Sequence, residues 1–415
     1  MIKWEEKMLG ELVLSSKGKL TKQSEFPEDG YLPLINADAI NGRETIYSNP
    51  KGAVLCEEDD VLMLWDGERS GLVTFGFKGV VGSTFAKLKT LEELDSKYLF
   101  YYLNEKFLWI QNNRTGTGVP HVPKDLERIL LVKYPKDKTE QRQIATILST
   151  ADAVIEKTQA AIAKYKAIKQ GMLQDLFTRG IDTTTGKLRQ SYQDAPELYK
   201  ESKLGWIPKK WENCEMGKYI SDNLYGPRFN AKDYHINGNV KTIRGTDFTK
   251  DGEILYNKAP KAQLDSSLIN SHKLEDGDIV IVTTADCGLT AVFKKPINDV
   301  DFIPSAYSVK YRFMKNVNPY FIKYFMTTDL AIRQVNKYIR QGTLGNLPGS
   351  DILGFNMIYP STDEQNKVAE RLLAIDNKIQ TEQDFLHKHQ QIKAGLMHDL
   401  LSGKKKLTIK ENKMA

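Results

Sequence analysis

Apolar and small residues recur at spacings of four and three along two long stretches of this chain, Thr139 to Phe177 and Asp363 to Leu401. In the first, the seam runs through Ile144, Leu148, Ala151, Ile155, Thr158, Ile162, Tyr165, Met172 and Leu176, with Lys169 as its one charged interruption. In the second it runs through Val368, Leu372, Ile375, Ile379, Leu386, Leu396 and Leu400, interrupted by Glu382, His389 and Lys393. Such heptad spacing predicts a long amphipathic helix in each stretch. Their starts agree: Pro135 and Pro360 precede the candidate N-caps Thr139 and Asp363, and Glu140 and Glu364 follow where the helix dipole favours an acid.

The two stretches are copies, displaced by 224 residues without a gap: Glu140 and Gln141 fall on Glu364 and Gln365, Asp152 on Asp376, Lys169 on Lys393, Gly171 on Gly395 and Asp175 on Asp399. A repeat of that length has to be read before the fold. Weaker echoes precede each copy. Trp4, Leu9 and Gly10 match Trp211, Met216 and Gly217; Asp60-Val61-Leu62 resembles Asp278-Ile279-Val280; Arg114 to Thr117 resembles Arg340 to Thr343; Tyr134-Pro135 matches Tyr359-Pro360. Between these anchors the halves diverge, so they share a frame and differ in content. Two helices exposing equal apolar stripes are expected to pack as an antiparallel coiled coil, the alternative being two unrelated helices lying on separate cores.

Outside the helices, short apolar runs such as Asp60 to Trp65, Leu72 to Phe77 and Asp278 to Thr283 are bounded by Gly, Asp and Asn, which reads as strands and turns. The expected fold is therefore α+β: two globular, mixed and strand-rich domains separated by two long antiparallel coiled-coil helices in a pseudo-twofold repeat. By residue number the expected parts are a first domain at 1–138, a helix at 139–178, a polar connector at 179–204, a second domain at 205–362, a helix at 363–403 and a basic tail at 404–415.

Composition narrows the function. With 415 residues, 40% hydrophobic and 27% charged, the chain suits a soluble protein of two or three domains. No apolar run is long enough for a membrane span, and the opening residues lack the core of a signal peptide. Cys56, Cys214 and Cys287 lie far apart with no CxxC, which argues against a disulfide framework or a zinc site and for the cytoplasm. A net charge of +6 leans towards a polyanionic partner.

Two runs, Pro135 to Ile144 and Pro360 to Val368, each join a proline, a short spacer, Glu-Gln and a long helix that ends in a Lys, Gly, Leu and Asp cluster. Together with Gly205 to Glu212 (GWIPKKWE), they resemble the specificity subunit of type I restriction-modification systems, and the resemblance covers essentially the whole chain. It implies two target recognition domains that each read one half of an asymmetric, split site in double-stranded DNA, with the helices as a spacer. It also implies two modification (methyltransferase) subunits and, in the larger complex, restriction (endonuclease and translocase) subunits as partners. No cofactor is then expected on this chain; S-adenosylmethionine, and ATP with Mg in the restriction complex, are expected on those partners.

Phosphates call for Lys or Arg, and base edges for Arg or Lys on guanine and Asn or Gln on adenine. The candidate DNA-binding residues are Arg114, Thr117, His121 and Lys124 in one glycine-containing turn and Arg340, Thr343 and Asn346 in its counterpart, with Lys17, Lys19, Arg43, Arg69, Arg228 and Arg244 in other loops. Plain turn chemistry accounts equally for the Gly-Thr pairs, a solvated charge for any single cation, and a loop cap for His121. Catalysis finds little support. Phe75 to Gly79 has its glycines in the wrong register for an adenosylmethionine loop, Asn318-Pro319-Tyr320 lacks a proline of a methyltransferase motif and reads better as a helix start, and no P-loop is present. Of His387 and His389, one reads as a solvent-facing helix residue and the other as the interruption of the seam, neither as a metal ligand, and the Lys404 to Lys413 tail reads as a solvated end that could track phosphate. A non-enzymatic DNA specificity subunit is the leading reading; a coiled-coil scaffold bridging proteins without DNA readout is the second, and a degenerate nuclease or methyltransferase the third.

Overall fold

A computed structural model describes residues 3–43, 45–116, 118–340 and 342–405. Contacts divide the chain into two compact units, residues 1–161 with 382–415, and residues 162–381. Two long helices, Lys138–Thr178 and Thr362–Leu401, each begin in one unit and end in the other. At about 1.5 Å per residue each is about 60 Å long.

The first unit is built on an antiparallel four-stranded sheet in the order Val13–Lys17, Phe85–Thr90, Val61–Leu64, Val73–Thr74. The second has the same order in Ile220–Tyr225, Ser308–Phe313, Ile279–Val282, Thr290–Val292. The inner strands Val61–Leu64 and Ile279–Val282 are buried along their whole length, which is why both read as unbroken apolar runs instead of alternating ones. Beyond this sheet the units differ. A five-stranded sheet flanks it in the first unit and a three-stranded one in the second, each containing one parallel pair.

A second antiparallel pair closes each unit by bringing its ends together: Trp4–Met8 with Leu131–Pro135, and Glu212–Glu215 with Asn356–Tyr359. The chain thus leaves each closing strand directly into a long helix. The caps are Asp137, whose carboxylate accepts from Thr139 N at 2.8 Å, and Ser361, whose hydroxyl accepts from Glu364 N at 3.3 Å. Both lie two residues before the expected Thr139 and Asp363. The Asp and Ser side chains reach the free amides at N2 and N3, whereas Thr139 and Asp363 already lie inside the helices.

The repeated Gln fastens each helix to its own unit. Gln141 donates to Pro135 O at 2.8 Å and to Glu93 O at 3.0 Å, and accepts from Asp95 N at 2.7 Å; Gln365 donates to Pro360 O at 2.9 Å and accepts from Asn318 N at 2.9 Å. Asp95 and Asn318 are the N-caps of the aromatic helices Ser96–Glu105 and Pro319–Phe325, so one buried amide joins three elements.

About three helical turns further along, each unit repeats a second cluster. In the first, Tyr101 donates to Asp152 at 2.7 Å, and Asp152 pairs with Lys393, whose ammonium lies 5.8 Å from the centre of the Tyr101 ring. In the second, Tyr324 donates to Asp376 at 2.7 Å, Asp376 pairs with Lys169 at 2.6 Å, and Lys169 lies 5.6 Å from the Tyr324 ring. Burial, with the neighbouring carboxylate, pushes both phenols well above their usual range, so they remain donors. Within each unit the helices run antiparallel: Ile144 and Leu148 share a core with Leu400 and Leu401, and Leu173, Leu176 and Phe177 share one with Val368 and Leu372.

The connector is more structured than its polar composition suggests. Its segment Tyr199–Ser202 forms a hairpin with Gly205–Pro208, and Tyr192 stacks on Trp206 at 4.4 Å. Arg189 and the Ile181 amide both bind the buried Glu364 carboxylate, at 2.9 and 2.8 Å. Gly180, at φ +66°, passes so close to Trp211 that a Cβ there would lie 2.2 Å from the indole.

The Lys169 side chain is only 14% exposed, so breaking its pair strands a charge. Asp376→Leu alone is expected to destabilise the full chain by about 3 kcal/mol, and adding Lys169→Met to recover most of that, since apolar replacement of both partners is close to neutral. Urea unfolding decides it; equal losses in the single and double variants would mean that the pair holds nothing together.

Candidate nucleic-acid interface

Where the inner strand of each four-stranded sheet ends, its loop is met by a seven-residue turn. Bridges between Thr115 and His121, and between Arg340 and Asn346, close the two turns. The paired bonds are Thr115 N to His121 O at 3.0 Å and His121 N to Thr115 O at 2.9 Å, against Arg340 N to Asn346 O at 2.8 Å and Asn346 N to Arg340 O at 3.2 Å. Further bridges tie His121 to Asp66 and Asn346 to Thr284. A matching amide completes the frame: Gly67 N donates to Pro120 O at 2.9 Å and Ala285 N to Gly345 O at 3.0 Å. Both donors have positive φ, +106° and +65°, so Ala285 holds the left-handed conformation that its counterpart leaves to glycine.

These bonds correct one alignment. Matching Arg114-Thr115-Gly116-Thr117 with Arg340 to Thr343 sets Arg114 on Arg340, but the bridges put Thr115 in the place of Arg340 and His121 in that of Asn346. The shared Gly and Thr letters misled by one residue, because backbone pairing sets the register here.

On this common frame the side chains differ. In the first unit Asp66 accepts from Lys17 at 3.0 Å and faces His121 Nδ1 at 2.7 Å. A carboxylate oxygen accepts there, which makes Nδ1 the ring nitrogen that donates to Asp66 and leaves Nε2 facing away from it. Arg114 is a staple, its Nη1 donating to Glu68 O at 2.7 Å and its Nε to Gln111 O at 2.8 Å. Arg69 is exposed in the same loop. Lys124 is exposed beside a separate hollow that Gly10 and Glu127 line. Lys19 and Arg43 are exposed, Arg43 within 3.8 Å of Asp38. Thr117 lies outside the described residues, as does the tail beyond Lys405.

In the second unit the turn borders a groove of about 790 Å³, lined by Arg228, Tyr234, Arg244, Thr284, Tyr307 and Leu344 among others. Arg228 is exposed, whereas Arg244 is engaged: it donates to Asp247 at 2.9 and 3.1 Å, and Asp247 is fully buried. Arg340 is exposed, with Asp351 3.7 Å away, and Thr343 is exposed. Asn346 is exposed, with Thr284 Oγ1 3.5 Å from its Oδ1. Asp66, Tyr234 and Tyr307 also face these turns or the groove and are not marked in the sequence. Nothing periodic marks them, although an aromatic among turn residues, as at Tyr307, is a usable signal. Among the described residues, no cluster of side chains suits a metal ion and no helix is long and apolar enough to cross a membrane.

Frame and surfaces together define a duplicated two-module protein in which one helical scaffold carries two dissimilar polar faces. A family model described as "Type I restriction modification DNA specificity domain" matches residues 1–165 and 208–393, and the chain belongs to that family. The type I restriction enzyme MjaVIII specificity subunit of Methanocaldococcus jannaschii is 27% identical over 413 residues, covering 97% of this chain and 92% of the relative. The StySPI specificity subunit of Salmonella potsdam is 25% identical over 275 residues, covering 62% and 55%. Among solved structures, the type I restriction-modification S subunit of M. genitalium superposes with a TM-score of 0.62 at 15% identity, over 98% of this chain and 97% of that one. The likeness extends to the whole fold.

Arg244 and Arg228 line one groove but should respond differently to loss. Arg244→Ala leaves the Asp247 carboxylate buried with one fewer partner and is expected to cost about 1–3 kcal/mol of stability, whereas Arg228→Ala should change stability by less than about 0.5 kcal/mol. Denaturant melts of the two variants separate these roles; equal effects would contradict them.

Proposed function

We propose that this chain is the non-catalytic DNA-reading subunit of a type I restriction-modification complex, each unit reading one half of an asymmetric bipartite site in duplex DNA. The observation that carries this is the repetition of the frame without its contents. Gln141 and Gln365, and the Asp152–Lys393 and Asp376–Lys169 pairs, recur with the same partners, while the turns beside His121 and Asn346 present different groups. A pair of like-mounted, unlike surfaces suits two half-sites that differ in sequence. Membership of the family favours this over a scaffold that bridges proteins without reading DNA.

In this reading the long helices set the unread gap between half-sites and dock two modification subunits, with restriction subunits joining the larger complex. Ile168 and Ile392 are equivalent in the repeat and 41% and 43% exposed, and Gly171 and Gly395, three residues on, meet nothing within 4 Å. A glycine inside a helix costs about 1 kcal/mol against alanine, and its retention beside an exposed isoleucine suits close approach by another subunit. The adenine methylation belongs to the modification subunits with S-adenosylmethionine, and ATP with Mg to the restriction subunits.

With its modification partner, the chain is expected to protect one bipartite sequence against competitor DNA, and for roughly six to ten phosphate contacts to lose about 10³–10⁵ in affinity between about 50 and 200 mM salt. Sequence-indifferent or salt-insensitive binding, measured by filter retention, contradicts the proposal. Deleting residues 157–163 and 381–387 removes one heptad from each helix and leaves all the anchoring pairs in place. Methylome sequencing should then show an altered gap between unchanged half-sites; altered half-sites with the old gap would end the ruler idea.

A further inference from the structure

The two closing turns share one more feature. Two residues before His121 stands Val119, and two before Asn346 stands Leu344, so the bridges make these positions equivalent. They are 56% and 62% exposed. A lone exposed aliphatic is ordinary on a protein surface. Here, however, an aliphatic occupies the same place in two turns that otherwise differ in their chemistry, and in both the next residue is pinned, Pro120 by Gly67 N and Gly345 by Ala285 N. The backbone beneath each side chain is therefore held firmly while the side chain itself is left in water.

The surroundings point to what covers it. The loop whose Gly67 pins Pro120 also carries the exposed Arg69, and beside Leu344 the groove brings Arg228 and Tyr307, with Arg340 at the base of the turn. Exposed arginines in the loops beside each apolar tip suit a polyanion whose interior carries an apolar feature, which is duplex DNA. A side chain without hydrogen-bonding atoms cannot read donors and acceptors. On the edges of the base pairs the one apolar group is the thymine C5-methyl, in the major groove.

We propose that Val119 and Leu344 are specificity-determining residues, each packing against a thymine methyl in the half-site read by its own unit. This rests on the DNA-reading function above. Burying the methyl contributes about a fourfold gain in affinity. The contact gives each half-site an apolar determinant besides whatever polar contacts its turn supplies.

The test uses the full chain with its modification partner and a duplex containing the site mapped by methylome sequencing, with each thymine replaced in turn by deoxyuridine. One replacement in each half-site should weaken binding about fourfold. Val119→Ala should abolish that sensitivity in one half-site alone and Leu344→Ala in the other, while Val119→Thr, which keeps the shape, should reduce it. Should no deoxyuridine replacement matter, or the sensitivity survive both alanine variants, the assignment fails. Uniform weakening by the alanine variants with the deoxyuridine sensitivities intact would mark a wedge between base steps and overturn it too. Failure of the unsubstituted complex to prefer the mapped duplex over a scrambled one would instead remove the DNA-reading function itself.

Discussion

Much of this structure depends on an ion pair placed in a mostly apolar helix seam. In each unit an aspartate of one long helix meets a lysine of the other, and a buried tyrosine of the aromatic helix donates to the same aspartate. Apolar seams alone tolerate sliding by a heptad. A half-buried Asp–Lys pair opposes sliding, because a slip leaves both charges without their partner. With the tyrosine attached, the register of the helix pair and the seating of the globular part become one constraint. The buried Gln141 and Gln365 amides fix the other end of each seat.

That arrangement explains how two halves can keep a common architecture while sharing so little sequence. The contacts that repeat are few and concentrated: a capping residue, a Gln, an Asp, a Lys and a Tyr, plus a sheet whose inner strand need only be apolar. Everything beyond the frame is free to change, and it has. A five-stranded sheet in one unit answers to a three-stranded sheet in the other, and a carboxylate gripping His121 and Lys17 answers to an open groove bordered by Arg228 and Tyr307. The exposed Val119 and Leu344 sit where the frame ends and this variable chemistry begins.

The sequence revealed the frame better than the surfaces, for physical reasons. Long helices write their seam at a fixed period, and a 224-residue repeat doubles the signal, so the helices, the duplication and the antiparallel pairing were legible. Lys169 and Lys393 looked like defects in that seam because their partners lie on the other helix, and only the antiparallel register brings Asp376 and Asp152 to them. The turns were found from their glycines, but aligned one residue out, since letter identity does not fix backbone bridging. Arg244 was grouped with free cations although Asp247, three residues on, was in plain view as its partner. Side-chain direction on irregular loops has no period, and so Asp66, Tyr234 and Tyr307 had no signature to find.

A fixed frame and interchangeable contents are separable parts of this protein. Replacing Val13 to Val122 with a second copy of Ile220 to Leu347 preserves the closing strands, the Gln anchors and both long helices, and puts the same surface on both mounts. Methylome sequencing of a host carrying that chain and its modification partner measures the consequence. The same half-site is expected twice, once on each strand, across an unread gap equal to the parent's. A changed gap, or a half-site that the parent does not recognise, would contradict this by showing that frame and contents are not separable.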